Sequence, residues 1–290
     1  MDLSKPGLFC FLDGFTGAQT GQFARKAEQL GYSALWFAET RGREPFSFAS
    51  YLLGQNERMI VATGIAVVYA YEPFAIANAA RTLGELYGDR FILGLGVSNQ
   101  RGNAARGIPY DDKPVSFMRQ YLAKMKDAPY VAPQPKHEPP VVIAGVMPKM
   151  LQLAATQTQG THTYCTTVEQ ISRTRAALGS QPWLCAELGV MLETDASKAR
   201  AAIRQYIQIY LSIDHYVKRL REVGFSDADF VNGGSDRLVD TIVVWGNETK
   251  IRERIDAYYT AGASHVCIMP LRSSGGMVPD ERAVEALAPR

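Results

Sequence analysis

Glu39 follows directly on the apolar run ALWFA, where a buried strand would deliver its last side chain to an open end. A carboxylate there is either a solvated rim residue or a polar group that orients a ligand and handles its protons. Arg41, Arg43 and Glu44 come next. They fit a solvated turn as well as a clamp for an anionic group. Two later segments, AGVMPK (144–149) and YCTT (164–167), each carry an apolar run into helical sequence. Unpaired N–H groups and the positive end of the helix dipole make such junctions attractive to anions. One such loop is ordinary, but two on successive strands favour a phosphate-bearing ligand. Trp36, Tyr69, Tyr71 and Tyr164 lie in or just after apolar runs and would line the same opening, as packing or as stacking surfaces.

Other chemistries are excluded by spacing. GLGVSN (94–99) offers Asn99 where a dinucleotide fingerprint needs its third glycine, and no helical sequence follows at once. The four cysteines form no CxxC pair and the four histidines no HExxH, which argues against zinc. Cys10, Cys165, Cys185 and Cys267 read as small apolar core residues.

The elements that would position these residues alternate regularly. Strand-like runs fall at 8–12, 34–37, 59–68, 91–96, 141–145, 161–165, 183–192 and 264–270. Helical patterns lie between them: Phe23, Ala27 and Leu30 at i, i+4, i+7 before Gly31, and a helix opened by Pro73 and closed by Gly88. Another starts at Pro148, one has a capping box at Thr167 and Gln170, and a long stretch runs from about Asp195 to Val223. The segment between Asn247 and Gly262 and the run ERAVEAL complete the series. Most of the strand runs are continuously apolar, as parallel strands buried on both faces should be. Eight strand-then-helix units predict a single α/β domain over 1–290, a (β/α)8 TIM barrel. The irregular stretch 97–114 follows the fourth strand and would lie over the active mouth.

With 47% hydrophobic residues the chain can bury a sizeable core, and its net charge of +2 comes from Lys and Arg spread along its length. That predicts neither a nucleic-acid partner nor a polybasic membrane patch. No apolar run approaches the roughly 18–20 residues that span a bilayer, so a cytoplasmic protein is expected.

The segments GYSALWFAE (31–39), MIVATGIAVV (59–68), EPFAIANAARTLGELYGDRFILGLGVS (72–98), PPVVIAGVMPKMLQLAATQTQG (139–160) and WGNETKIRERIDAYYTAGASHVCIMPL (245–271) resemble the luciferase-like monooxygenase superfamily. GREPF (42–46), the GVS ending and GGSDRLVD (233–240) look like its actinobacterial branch of coenzyme F420-dependent oxidoreductases. The resemblance implies a non-proline cis peptide in the third strand, here between Gly64 and Ile65, supporting a flavin or deazaflavin ring. It implies phosphate contacts at Gly145, Val146, Met147, Cys165 and Thr166, and ring contacts at Glu39, Ser98 and Asn99. It also implies a small-molecule substrate and a homodimer.

Two departures narrow the expectation. The family's deazaflavin sugar-phosphate dehydrogenases carry a carboxylate followed by His after strand two, and an acid after strand four. Here Glu39 is followed by Thr40, and Asn99 takes the second place. Those acid–base roles are therefore not carried over, and a sugar phosphate is not the expected substrate. Hydride transfer with coenzyme F420 is the leading expectation, with Glu39 and Asn99 as the polar groups at the reacting centre. Tyr69, Tyr71 and His162 are secondary candidates for proton handling. The alternatives are a reduced-FMN monooxygenase and a barrel that binds a flavin without turnover.

Overall fold

Parallel pairing runs through every strand and closes on itself. In the computed structural model, which describes residues 1–290, the strands are β1 (Gly7–Cys10), β2 (Ala34–Phe37), β3 (Ile60–Thr63), β4 (Ala66–Val67), β5 (Phe91–Gly96), β6 (Val141–Ala144), β7 (Gly160–Thr163), β8 (Trp183–Leu192), β9 (Val243–Gly246) and β10 (His265–Pro270). The closed order is β1-β2-β3-β5-β6-β7-β8-β10 and back to β1, so the chain is a (β/α)8 barrel built from the eight runs named above. β4 continues β3 after a break and pairs with β5, while β9 lies beside the outer end of β8.

The helices are α1 (Gly17–Gln29), α2 (Pro45–Gly54), α3 (Pro73–Tyr87), α4 (Gln100–Ala104), α5 (Pro114–Lys126), α6 (Pro148–Gln157), α7 (Val168–Leu178), α8 (Ala196–Leu211), α9 (Asp214–Glu222), α10 (Asp236–Ile242), α11 (Glu248–Thr260) and α12 (Glu281–Ala286). Their ends follow the local chemistry. Thr167 and Gln170 form the expected capping box on α7, Asn247 caps α11, and Gly31 and Gly88 turn the chain with positive φ. The stretch 195–223 is not one helix. It breaks at Ser212 and Ile213, where Ile213 is extended and the Ser212 hydroxyl donates back to the Ile209 carbonyl at 2.7 Å. Four elements carried no clear signal in the sequence: α5, α10, β9 and the short α4, which Asn99 caps inside the stretch 97–114 expected to be irregular.

Two apolar layers hold the barrel. The larger lies between the strands and the helices, and a smaller one fills the interior with Phe9, Trp36, Ala62, Ile92, Val142, Cys185 and Cys267. Trp36 therefore belongs to the interior and not to the mouth. Its Nε1 donates to His265 Nε2 at 3.1 Å, and His265 Nδ1 lies 3.1 Å from the Leu3 carbonyl, which plugs the barrel floor. All four cysteines are free and buried, the core role expected of them.

The peptide between Gly64 and Ile65 is cis. A side chain on Gly64 would place its Cβ 2.7 Å from Phe9 Cε2, so glycine is required for the strand to pass this close to β1.

Candidate active site

The barrel mouth holds a cavity of about 470 Å³, within the range of small-molecule sites. Eight of the ten expected site residues line it: Glu39, Gly64, Ile65, Ser98, Asn99, Gly145, Val146 and Met147. Cys165 and Thr166 do not reach its wall; both are buried behind it, at the start of α7.

On the β2–β5 side, Glu39 Oε2 accepts the Val67 N–H at 2.8 Å, fixing the chain just beyond the Gly64–Ile65 break. Burial raises its carboxyl pKa above the ordinary value, while the Val67 amide, Arg106 and the Tyr71 hydroxyl pull it back. Asn99 spends its side-chain oxygen on the Gly102 N–H at 2.8 Å, as the cap of α4, which leaves its Nδ2 as the donor for a ligand. Ser98 holds a left-handed φ of 56°, turning the chain sharply at the cavity rim. Arg106 ties the two loops together, donating to the Glu39 carbonyl at 3.0 Å and the Gly102 carbonyl at 2.9 Å.

The β6–β7 side carries free donors and a buried cation. Met147 starts α6 without a side-chain cap, and the Val146 and Met147 N–H groups take no backbone partner. Arg219, from α9, lines the cavity although it is only 5% exposed. Its guanidinium meets no carboxylate; Gln170 Oε1 lies 3.5 Å away and the Tyr216 ring 5.7 Å away. Burial lowers its pKa, since a charge without a partner is poorly solvated there. Gln170 donates to the Arg219 carbonyl at 2.9 Å, so the cap of α7 also anchors α9. His215 lines the same wall, and burial first and Arg219 second lower its pKa.

Unpartnered polar atoms cluster here. His162 Nε2, Thr163 Oγ1 and Thr166 Oγ1 are buried without hydrogen bonds on β7 and the loop after it. His162 packs against Phe9 and Trp36 with centroids 5.6 and 4.8 Å apart, and burial takes its pKa down to about 3, so the ring is neutral. Glu187 is buried inside β8 and accepts the Cys165 N–H at 2.9 Å, holding that residue in its left-handed turn. Burial pushes the Glu187 carboxyl up to about 8. Tyr164 links to Tyr206 at 2.6 Å and to Tyr210 at 2.8 Å, a hydroxyl cluster at the edge of the cavity.

A family model for the luciferase-like monooxygenases matches residues 7–265. The chain belongs to that family. A Mycobacterium tuberculosis protein carrying the provisional name of a coenzyme F420-dependent oxidoreductase is 32% identical over 116 residues, 38% of this chain and 33% of that one. The chain thus matches only about a third of that relative's length. The 5,10-methylenetetrahydromethanopterin reductase of Methanolobus tindarius is 22% identical across 84% of this chain and 87% of its own. An F420-dependent secondary alcohol dehydrogenase, solved with an F420–acetone adduct, shares the fold with a TM-score of 0.78 at 15% identity, covering 99% of this chain and 97% of that one. The FMN-bound oxygenating constituent of 3,6-diketocamphane monooxygenase from Pseudomonas putida reaches a TM-score of 0.67 at 14% identity, covering 92% of each chain.

Not every residue singled out in this luciferase-like chain belongs to the cavity. Tyr69 packs against Tyr110 and Phe117 in a separate aromatic groove outside the barrel, and Tyr71 reaches the site only through Glu39. Arg43 holds the Leu12 carbonyl at 2.9 Å and also that of Phe15, while Glu44 caps α2. Both are structural. Thr40 donates to Asp13, tying the loop after β2 to the loop after β1. Tyr164 was expected at the mouth, but its partners Tyr206 and Tyr210, and Arg106 and Arg219, carried no such expectation. Tyr206 and Tyr210 at i, i+4, and Tyr216 and Arg219 at i, i+3, do put polar aromatic and basic groups on single helix faces. That spacing was the available signal.

Proposed function

We propose that the protein is a coenzyme F420-dependent oxidoreductase that moves a hydride to or from a small organic molecule. The observation that carries this reading is Arg219. A buried cation without a carboxylate lines one cavity together with the Val146–Met147 loop, whose N–H groups are free, and the Gly64–Ile65 break. That arrangement suits a flat ring on a phosphate-bearing chain. The name of the Mycobacterium tuberculosis relative and the likeness in fold to the F420-dependent secondary alcohol dehydrogenase support the deazaflavin among such cofactors.

When bound, the deazaflavin gives or takes the hydride at its ring. The protein's residues position and solvate the reactants. Gly64 and Ile65 back the ring, and Ser98, Asn99 Nδ2 and Glu39 meet its polar edge. Gly145, Val146, Met147 and Arg219 would take the phosphate, while Cys165 and Thr166, expected to share that role, lie behind the wall and would act only by supporting it. A hydride added to one atom of a C=O, C=N or C=C bond must be matched by one proton on the other. Glu39 and Tyr210, both on the cavity wall, are the groups placed to hold that proton. A homodimer is the expected assembly, checked by sedimentation equilibrium.

The second reading is a reduced-FMN monooxygenase, supported by the likeness in fold to the FMN-bound oxygenase. Fluorescence titration of the apo-protein with coenzyme F420 and, separately, with FMN decides between them. Selective binding of F420 upholds the proposal, and preference for FMN transfers the site to oxygen chemistry. Binding of neither leaves a barrel without redox function.

A further inference from the structure

A second cleft of about 680 Å³ adjoins the proposed ring end of the cavity, sharing Glu39, Ser98, Asn99, Arg106 and Tyr210 with it. Its wall has an unusual charge balance. Arg41, Arg101, Arg106 and Arg272 line it, and Glu39 is the one acidic residue among the lining side chains. None of the four arginines is paired with a carboxylate. Arg106 is committed to backbone carbonyls, Arg272 donates to the Pro279 carbonyl at 3.1 Å, and Arg101 donates to the Ser212 hydroxyl at 2.9 Å. Arg41 makes no hydrogen bond within the chain and projects from the loop just after Glu39. The same wall also carries apolar side chains, among them Ile209, Leu271 and Met277.

We infer that this cleft is the substrate site and that the substrate is an amphipathic organic anion, an apolar body carrying at least one carboxylate. Several guanidinium groups converging on a cleft raise the local concentration of anions and hold a carboxylate by paired N–H donors. The apolar wall takes the remainder of the molecule. Glu39 then lies between ring and substrate, where a lone carboxylate among arginines can approach the reacting atoms without repelling the anion. The assignment rests on the reading above for where the cofactor ring lies. The anion site proposed for the cofactor phosphate is separate, on the β6–β7 side around Arg219.

The probes are 3-phenylpropanoate, its uncharged amide and 3-phenylpropylamine, measured by calorimetry on F420-loaded protein and on the apo-protein. The variant is Arg41→Gln/Arg101→Gln, because these two arginines are exposed and hold no backbone together. The carboxylate should bind more tightly than the amide, the amine should not bind, and the double variant should lose about tenfold of the preference, the sum of two partly exposed charge pairs. No carboxylate binding at millimolar concentration, or equal binding of acid and amide, overturns the proposal. The carboxylates of the cofactor's own tail are the other source of an anion. If the double variant weakens F420 itself, the arginines belong to the cofactor and the substrate assignment falls. If F420 fails to bind wild-type protein while the apo-protein still selects the carboxylate, the cofactor reading falls and the anion cleft stands.

Discussion

Replacing Arg219 with Met should weaken the cofactor and spare the fold. Methionine keeps the apolar stem and removes the charge from a site that is 5% exposed and offers only a distant Gln170 oxygen. If Arg219 holds the cofactor phosphate, its loss leaves a buried anion without its counter-charge. Truncating one member of such a pair costs about 3 kcal/mol, on the order of a hundredfold in Kd. The apo-protein should respond with the opposite sign. A buried guanidinium without an acid is a desolvated charge, and an apolar replacement of similar shape is neutral or stabilising by about 1 kcal/mol or more. The assay pairs a fluorescence titration of F420 with thermal unfolding of the apo-protein. A purely structural Arg219 would give a falling Tm and an unchanged Kd, and that result would refute the argument.

Three further outcomes follow from particular contacts. Glu187, with its carboxyl pushed up to about 8 by burial, binds a proton in the folded state that the unfolded chain has released. Stability should therefore fall as pH rises from the ordinary carboxyl range to about 8 and level off above it, by on the order of a few kcal/mol, and Glu187→Gln should flatten that slope in urea titrations. Glu39→Ala strands the Val67 N–H beside the Gly64–Ile65 break, at a cost of about 1–3 kcal/mol, whereas Glu39→Gln keeps an acceptor and should retain stability while erasing a pH limb of kcat. Gly64→Ala drives a Cβ to 2.7 Å from the Phe9 ring, and chemical denaturation should show a loss of about 1–3 kcal/mol; an unchanged midpoint would mean that Phe9 yields freely.

The sequence by itself determined the barrel. Eight strand-like runs, most of them continuously apolar and nearly all followed by helical sequence, admit few other closures, and the register pairs them in chain order. Caps at Thr167 and Asn247 and the turns at Gly31 and Gly88 were legible because their physics is local. Glu39, Asn99 and the Gly145–Met147 loop were legible too, since strand ends in a barrel must meet at its mouth.

Tertiary structure decided the rest. Arg219 reads in sequence as one more charge on a charged helix, DHYVKRLRE. Only the packing of α9 on the α7 cap, through Gln170, removes it from water and turns it towards the cavity. Trp36 lies in a strand that reaches the mouth, yet it points into the interior, because its pleat position pairs it with His265 across the barrel. The tyrosine cluster and the arginines of the second cleft come from α4, α8 and the loops after α4, β2, β7 and β10, segments far apart in the chain. Spacing along a chain reports what one element can present. Which groups from different elements share a cavity, and which charges lose their solvent, is settled only when the barrel closes.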